Sequence, residues 1–116
     1  MGIDTITFDE YQKFTRTTAI YQGAIKGCPD WVYTVLGLGE VGELQNKVKK
    51  IIRDNKGEIT EDIKKDISKE LGDIIWYVAR TADEFGLSLN DIINENITKL
   101  SKRKEESKIG GSGDNR

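Results

Sequence analysis

Apolar residues in this chain recur at intervals of three and four, a period that admits packed helices and leaves no run that reads as a strand. Val41, Leu44, Val48, Ile51 and Ile52 trace one helical face, Ile63, Ile67, Leu71, Ile74, Val78 and Phe85 a second, and Leu89, Ile93, Ile97 and Leu100 a third. Start and stop signals bracket them. Thr7-Phe8-Asp9-Glu10 has the capping-box form and predicts a first helix from Phe8 to Tyr21, with Tyr11 and Phe14 inward. The stretch from Gly23 to Pro29 reads as a loop, and Asp30 as the N-cap of a long second helix reaching about Arg53. Asp54-Asn55-Lys56-Gly57 turns the chain, Thr60 caps a third helix that closes on Gly86, and Ser88 with Asp91 opens a fourth.

Short connections between long helices predict an all-α fold, an antiparallel bundle of about four helices. It forms a single helical domain over residues 1–109, followed by a glycine-rich tail, 110–116, that reads as a flexible or appended segment. Only 36% of residues are hydrophobic and 33% are charged, so each apolar stripe is narrow and a homo-oligomer would bury more of it.

Several chemistries are excluded early. With 20 acidic and 18 basic residues there is no net field to hold a nucleic acid, so no nucleic-acid partner is expected. The single cysteine, Cys28, cannot close an internal disulfide, Met1 to Glu10 carries no signal pattern, and no apolar run approaches the ~20 residues of a bilayer span. A cytoplasmic protein with no membrane partner is the expectation. Histidine is absent, which removes Ser-His-Asp and Cys-His triads, histidine-ligated zinc, and the Glu-x-x-His iron or manganese bundles.

What remains is carboxylate chemistry. Glu40-Val41-Gly42-Glu43-Leu44 and Glu70-Leu71-Gly72-Asp73-Ile74 repeat one pattern, two acids three residues apart on a helical face that borders an apolar stripe. Packed antiparallel, the two helices bring Glu40, Glu43, Glu70 and Asp73 together, and four such groups stay ionised only around a cation. Hard oxygen donors alone point to magnesium, with manganese as the other candidate. A helix-interior glycine costs about 1 kcal/mol against alanine, so Gly42 and Gly72 are expected to serve close helix approach or to leave room for water and phosphate oxygens. Taken singly, an acid pair of this kind is most often a solvated face. Two matched copies split by glycine reverse that reading, while a non-enzymatic helical interaction module with solvated acidic faces stays open as the alternative.

On these residues the segment from Gly37 to Arg103 resembles the MazG-like nucleoside triphosphate pyrophosphohydrolases. The likeness is carried by Leu36-Gly37-Leu38-Gly39-Glu40-Val41-Gly42-Glu43 and by Lys69-Glu70-Leu71-Gly72-Asp73-Ile74-Ile75-Trp76-Tyr77. It extends to Asn96-Ile97-Thr98-Lys99-Leu100, to Arg103, and to the Gly-Asp-Asn-Arg ending seen in phage and bacterial members. Gly39 departs from the glutamate that many members carry before Glu40, which bears on how many metals bind.

The resemblance implies a helical fold assembled as dimers or tetramers, with the site near a subunit contact. It also implies hydrolysis between the α and β phosphates, releasing a nucleoside monophosphate and pyrophosphate. Glu40, Glu43, Glu70 and Asp73 would hold Mg²⁺ (or Mn²⁺), and Glu40 or Glu43 would take the proton of a water attacking the α-phosphorus. Asn96, Lys99 and Arg103 are phosphate candidates by resemblance, although a basic helix end favoured by the helix dipole explains the two cations equally well. Lys47 and Lys50 are further candidates, or simply cover apolar surface. Asp114, Asn115 and Arg116 of the tail would fold over the nucleotide. Trp31, Tyr33, Trp76 and Tyr77 offer stacking surfaces for the base, a role that large aromatics take less often than plain packing.

Overall fold

The structure is a computed structural model and describes residues 5–21 and 29–106. Five helices follow one another, α1 (Phe8–Thr17), α2 (Asp30–Gly37), α3 (Glu40–Asn55), α4 (Glu61–Glu84) and α5 (Leu89–Glu105), with no strand among the described residues. The helical class is as expected; the count is one higher, because the long second helix is divided.

That division is a change of hydrogen bonding rather than a reversal of the chain. Leu38 and Gly39 keep right-handed backbone angles, but Leu38, Gly39, Val41 and Gly42 donate to the carbonyls three residues back, those of Val35, Leu36, Leu38 and Gly39. Glycine at 37 and 39 weakens the α-helical register there, and a tightened turn takes its place. Glu40 thereby becomes the first residue of α3.

Other boundaries shift for local reasons. α1 ends at Thr17, short of Tyr21, where the hydroxyls of Thr15, Thr17 and Thr18 donate back to the carbonyls of Gln12, Phe14 and Thr15. Pro29, not Asp30, is the N-cap of α2; Asp30 is its first helical residue. The capping box is present, Thr7 Oγ1 accepting from Glu10 N–H at 3.1 Å while Thr7 N–H donates to Glu10 Oε1 at 3.0 Å. Thr60 and Ser88 cap α4 and α5. At the end of α4, Gly86 adopts φ +69°, and the Gly86 and Leu87 amides donate to Asp83 and Ala82, the two bonds of a Schellman closure.

α4 is the central element and packs against α1, α2, α3 and α5. Cross-helix partners run in opposite senses: Arg16 with Asp83 but Thr18 with Trp76, Trp31 with Phe85 but Tyr33 with Tyr77, Glu40 with Asp73 but Lys47 with Asp66. α1, α2 and α3 therefore lie antiparallel to α4. The buried residues are mostly small or polar, Gln12, Thr15, Thr34, Ala79, Arg80, Ala82 and Leu89 among them. Gln12 joins α1 to the start of α5, donating to Leu87 O at 2.7 Å and accepting from Leu89 N–H at 2.8 Å.

The large apolar residues expected inward are divided by the structure. Leu44, Ile51, Ile63, Ile67, Ile74 and Ile93 are half-buried. Phe14, Val41, Val48, Ile52, Leu71, Val78, Phe85, Ile97 and Leu100 are exposed, and α3 has no buried residue at all. One face of each helix suffices to meet α4 in a single chain, and the rest of each apolar stripe is left open. No described helix is long and apolar enough to cross a membrane.

Candidate metal centre and adjoining aromatic cavity

Glu40 opens α3, and Glu70 and Asp73 lie a turn apart on α4, so the antiparallel register delivers three acids to one place. One carboxylate oxygen from each lies within 4.8 Å of the other two. Partial burial first, then the charges of Glu70, Asp73 and Glu43, hold the Glu40 carboxyl above its ordinary range. Among the described residues Glu70 Oε2 is buried with no hydrogen-bond partner, a state that costs free energy unless a donor or a cation satisfies it. Crowded hard-oxygen donors with an orphaned buried oxygen fit a small divalent cation of the magnesium or manganese type.

Glu43 stands outside this convergence. It is exposed, and its charge reaches Glu40 and Lys47 without its oxygens joining the other three.

Beside the acids is a cavity of about 240 Å³ lined by Glu40, Asp73, Trp76 and Tyr77. Asp73, Trp76 and Tyr77 share it because positions i, i+3 and i+4 lie on one helical face. The Trp76 and Tyr77 rings meet edge to face at 5.1 Å, Tyr33 lies 6.2 Å from Tyr77, and Tyr21 stacks on Tyr33 at 4.9 Å. Trp76 Nε1 donates to Thr18 Oγ1 at 2.8 Å, which holds the indole in place. The Tyr77 phenol is pushed up to about 12, chiefly by its hydrogen bond with Tyr33 and then by burial and the neighbouring charges, so it remains a neutral hydroxyl. Gly37 makes this wall possible: a Cβ there would overlap the Tyr77 ring. Among the described residues Gly42 and Gly72 do not serve close packing, since a Cβ at either would meet none of them within 4 Å.

The remaining candidates are scattered. Lys47 lies against the acidic centre, 2.7 Å from Asp66 and 3.8 Å from Glu70. Lys50 is exposed and acts on Asp54, further along α3. Asn96 and Lys99 line clefts along α5 with Ile92, Glu95 and their neighbours, and Arg103 is half-buried in the last turn of that helix; none of the three lines the cavity beside the carboxylates. Trp31 packs on Phe85 at 5.6 Å, near the far end of α4. Asp114, Asn115 and Arg116 lie outside the described residues, as do positions 23–28 of the predicted loop.

A feature that sequence reasoning missed adjoins the aromatic wall. Arg80, 4% exposed, pairs with Asp83 at 2.9 Å and Glu84 at 3.3 Å and donates to the Tyr21 hydroxyl at 3.2 Å. Tyr21 in turn donates to Glu84 Oε2 at 2.7 Å. The signal was present as two acids three and four residues after an arginine on one helix, but that pattern usually marks a solvated face.

Residues 33–107 match the family model described as the MazG nucleotide pyrophosphohydrolase domain, a span that includes every acid of the centre. The "Gene 37 protein" of Mycobacterium phage L5 is 46% identical over 114 residues, covering 93% of this chain and 97% of that relative. No solved structure matches.

Proposed function

The chain belongs to the MazG nucleotide pyrophosphohydrolase family, and from that premise we propose that it hydrolyses a nucleoside triphosphate, ribo or deoxyribo, to the monophosphate and pyrophosphate with Mg²⁺. The observation that carries the reading is the convergence of Glu40, Glu70 and Asp73, with Glu70 Oε2 unsatisfied, at the edge of an aromatic cavity. Glu40, Glu70 and Asp73 would hold the ion, which would supply charge neutralisation for phosphate oxygens and a lowered pKa for a water near the α-phosphorus. Glu43, outside the converging set, is left to accept that water's proton. Trp76 and Tyr77 give the base an apolar surface next to the acids, and the neutral Tyr77 hydroxyl adds no charge against the triphosphate. Lys47 lies close enough to the centre to meet a phosphate.

The reading includes a homo-oligomer, a dimer or tetramer. Exposed apolar residues on α3, α4 and α5 support it, because a second copy laid on them removes from water what one chain leaves open. Asn96, Lys99 and Arg103 then belong to substrate contacts made in the assembly.

A pyrophosphate-release assay over a panel of ribo- and deoxyribonucleoside triphosphates, with Mg²⁺ and with chelator, tests the activity. Magnesium-dependent pyrophosphate is expected, and Glu40→Gln and Glu70→Gln lose it while retaining helical circular dichroism. Orthophosphate as the product, or full activity in both variants, rejects the reading. A purely structural interaction module predicts neither product nor any stabilisation by magnesium.

A further inference from the structure

Lys47 reaches across from α3 to two acids that lie one turn apart on α4. Its Nζ is 2.7 Å from Asp66 Oδ2 and 3.8 Å from Glu70 Oε1. The first contact is a hydrogen-bonded ion pair; the second is beyond hydrogen-bonding distance. A lysine ammonium on its flexible four-carbon stem swings easily between partners at this separation.

The two acceptors differ in what they are needed for. Asp66 is half exposed, with 53% of its side chain open to solvent, and is not among the converging oxygens. Glu70 is 17% exposed, contributes one of those oxygens, and has a second oxygen buried without a partner. Glu70 is thus the acceptor with most to gain from an ammonium, yet Lys47 is on Asp66.

We propose that Asp66 is a positioning residue: it draws the Lys47 ammonium onto its own carboxylate, beyond hydrogen-bonding distance of Glu70, and so keeps the Glu70 carboxylate open to a divalent cation. The inference rests on the metal-dependent reading above. An ammonium closed on Glu70 competes with the ion for the same oxygens, and binding has to displace it. Asp66 gives that ammonium a carboxylate of its own. Without the Asp66 charge, the nearest anionic partners of Lys47 are Glu70 and then Glu43, so the side chain moves onto the centre.

The test is thermal unfolding of the full chain against Mg²⁺ concentration, with no nucleotide present. The unsubstituted protein shows a rise in Tm that saturates; no rise at all rejects the metal reading itself, and the proposal with it. In Asp66→Asn the half-saturating Mg²⁺ concentration rises about fivefold, the scale of one partly exposed ion pair. Adding Lys47→Met to Asp66→Asn returns the midpoint to the original value or below it, because the competing ammonium is gone. Asp66→Glu, which keeps the tether, leaves the midpoint in place. A saturating rise in the unsubstituted protein with an unmoved midpoint in Asp66→Asn overturns the proposal. So does a raised midpoint that persists in the double variant. Merely structural damage at Asp66 lowers Tm equally at every Mg²⁺ concentration and also counts against it.

Discussion

The Tyr77 ring fills the space into which any side chain at Gly37 would project. The last residue of α2 therefore sets the position of a wall that stands beside Glu40 and Asp73. Gly37→Ala must push the ring away from Tyr33 and distort the cavity, at an expected cost of about 1–3 kcal/mol, the usual range for overpacking. In a Tyr77→Ala background the same substitution costs little. Urea denaturation of the four proteins of this cycle checks it, and equal costs in both backgrounds would sink the account.

Acid stability is expected to depend on Asp83. Its hydrogen bonds with Arg16 come first, and with those of Arg80 they hold the carboxyl below its ordinary value of 3.8. The unfolded chain thus takes up this proton before the folded one as pH falls. The stabilisation is complete above the unfolded value and is lost as pH drops through it towards the folded value. Thermal melts between about pH 5 and pH 3 should show a decline in Tm that is shallower in Asp83→Asn. At neutral pH that variant loses about 3 kcal/mol, the low end for breaking a buried pair, because Glu84 still holds Arg80.

The acids should separate by role. Glu70→Gln removes a converging oxygen and is expected to abolish the Mg²⁺-dependent rise in Tm together with turnover. Glu43→Gln is expected to keep the rise while losing about 100-fold or more in kcat, the scale of a missing general base. If magnesium stabilisation disappears equally in both, Glu43 belongs with the ligands and another group takes the proton.

Val48 and Ile52 on α3 are 46% and 65% exposed in the single chain. If a second copy covers them, replacing both with lysine places charges in an apolar contact and yields a monomer. Analytical ultracentrifugation at micromolar concentration should show a dimer or larger species for the unsubstituted chain and a monomer for the variant. A monomer in both cases dismisses the assembly.

Much of the fold was legible because it is local. The three-and-four period makes helices wherever it occurs, and Thr7, Thr60 and Ser88 cap them with bonds that span only three residues. Gly86 ends α4 for the same kind of reason, its own positive φ. The two acid pairs were equally plain, since spacing along one helix decides which side chains share a face.

What no single helix contains is the register of one helix against another. Packing against α4 brought an oxygen of Glu40 to those of Glu70 and Asp73 and left those of Glu43 outside the set. The same packing buried Arg80 while Val78 stayed exposed, seated Tyr77 on Gly37, and kept Asn96 and Lys99 on clefts along α5. Periodicity specifies which residues lie on a stripe, but the rotation and offset between stripes come from contacts among side chains far apart in sequence. The amino-acid order thus determined the helices and the acids available to them, and only the tertiary structure decided which of those acids meet.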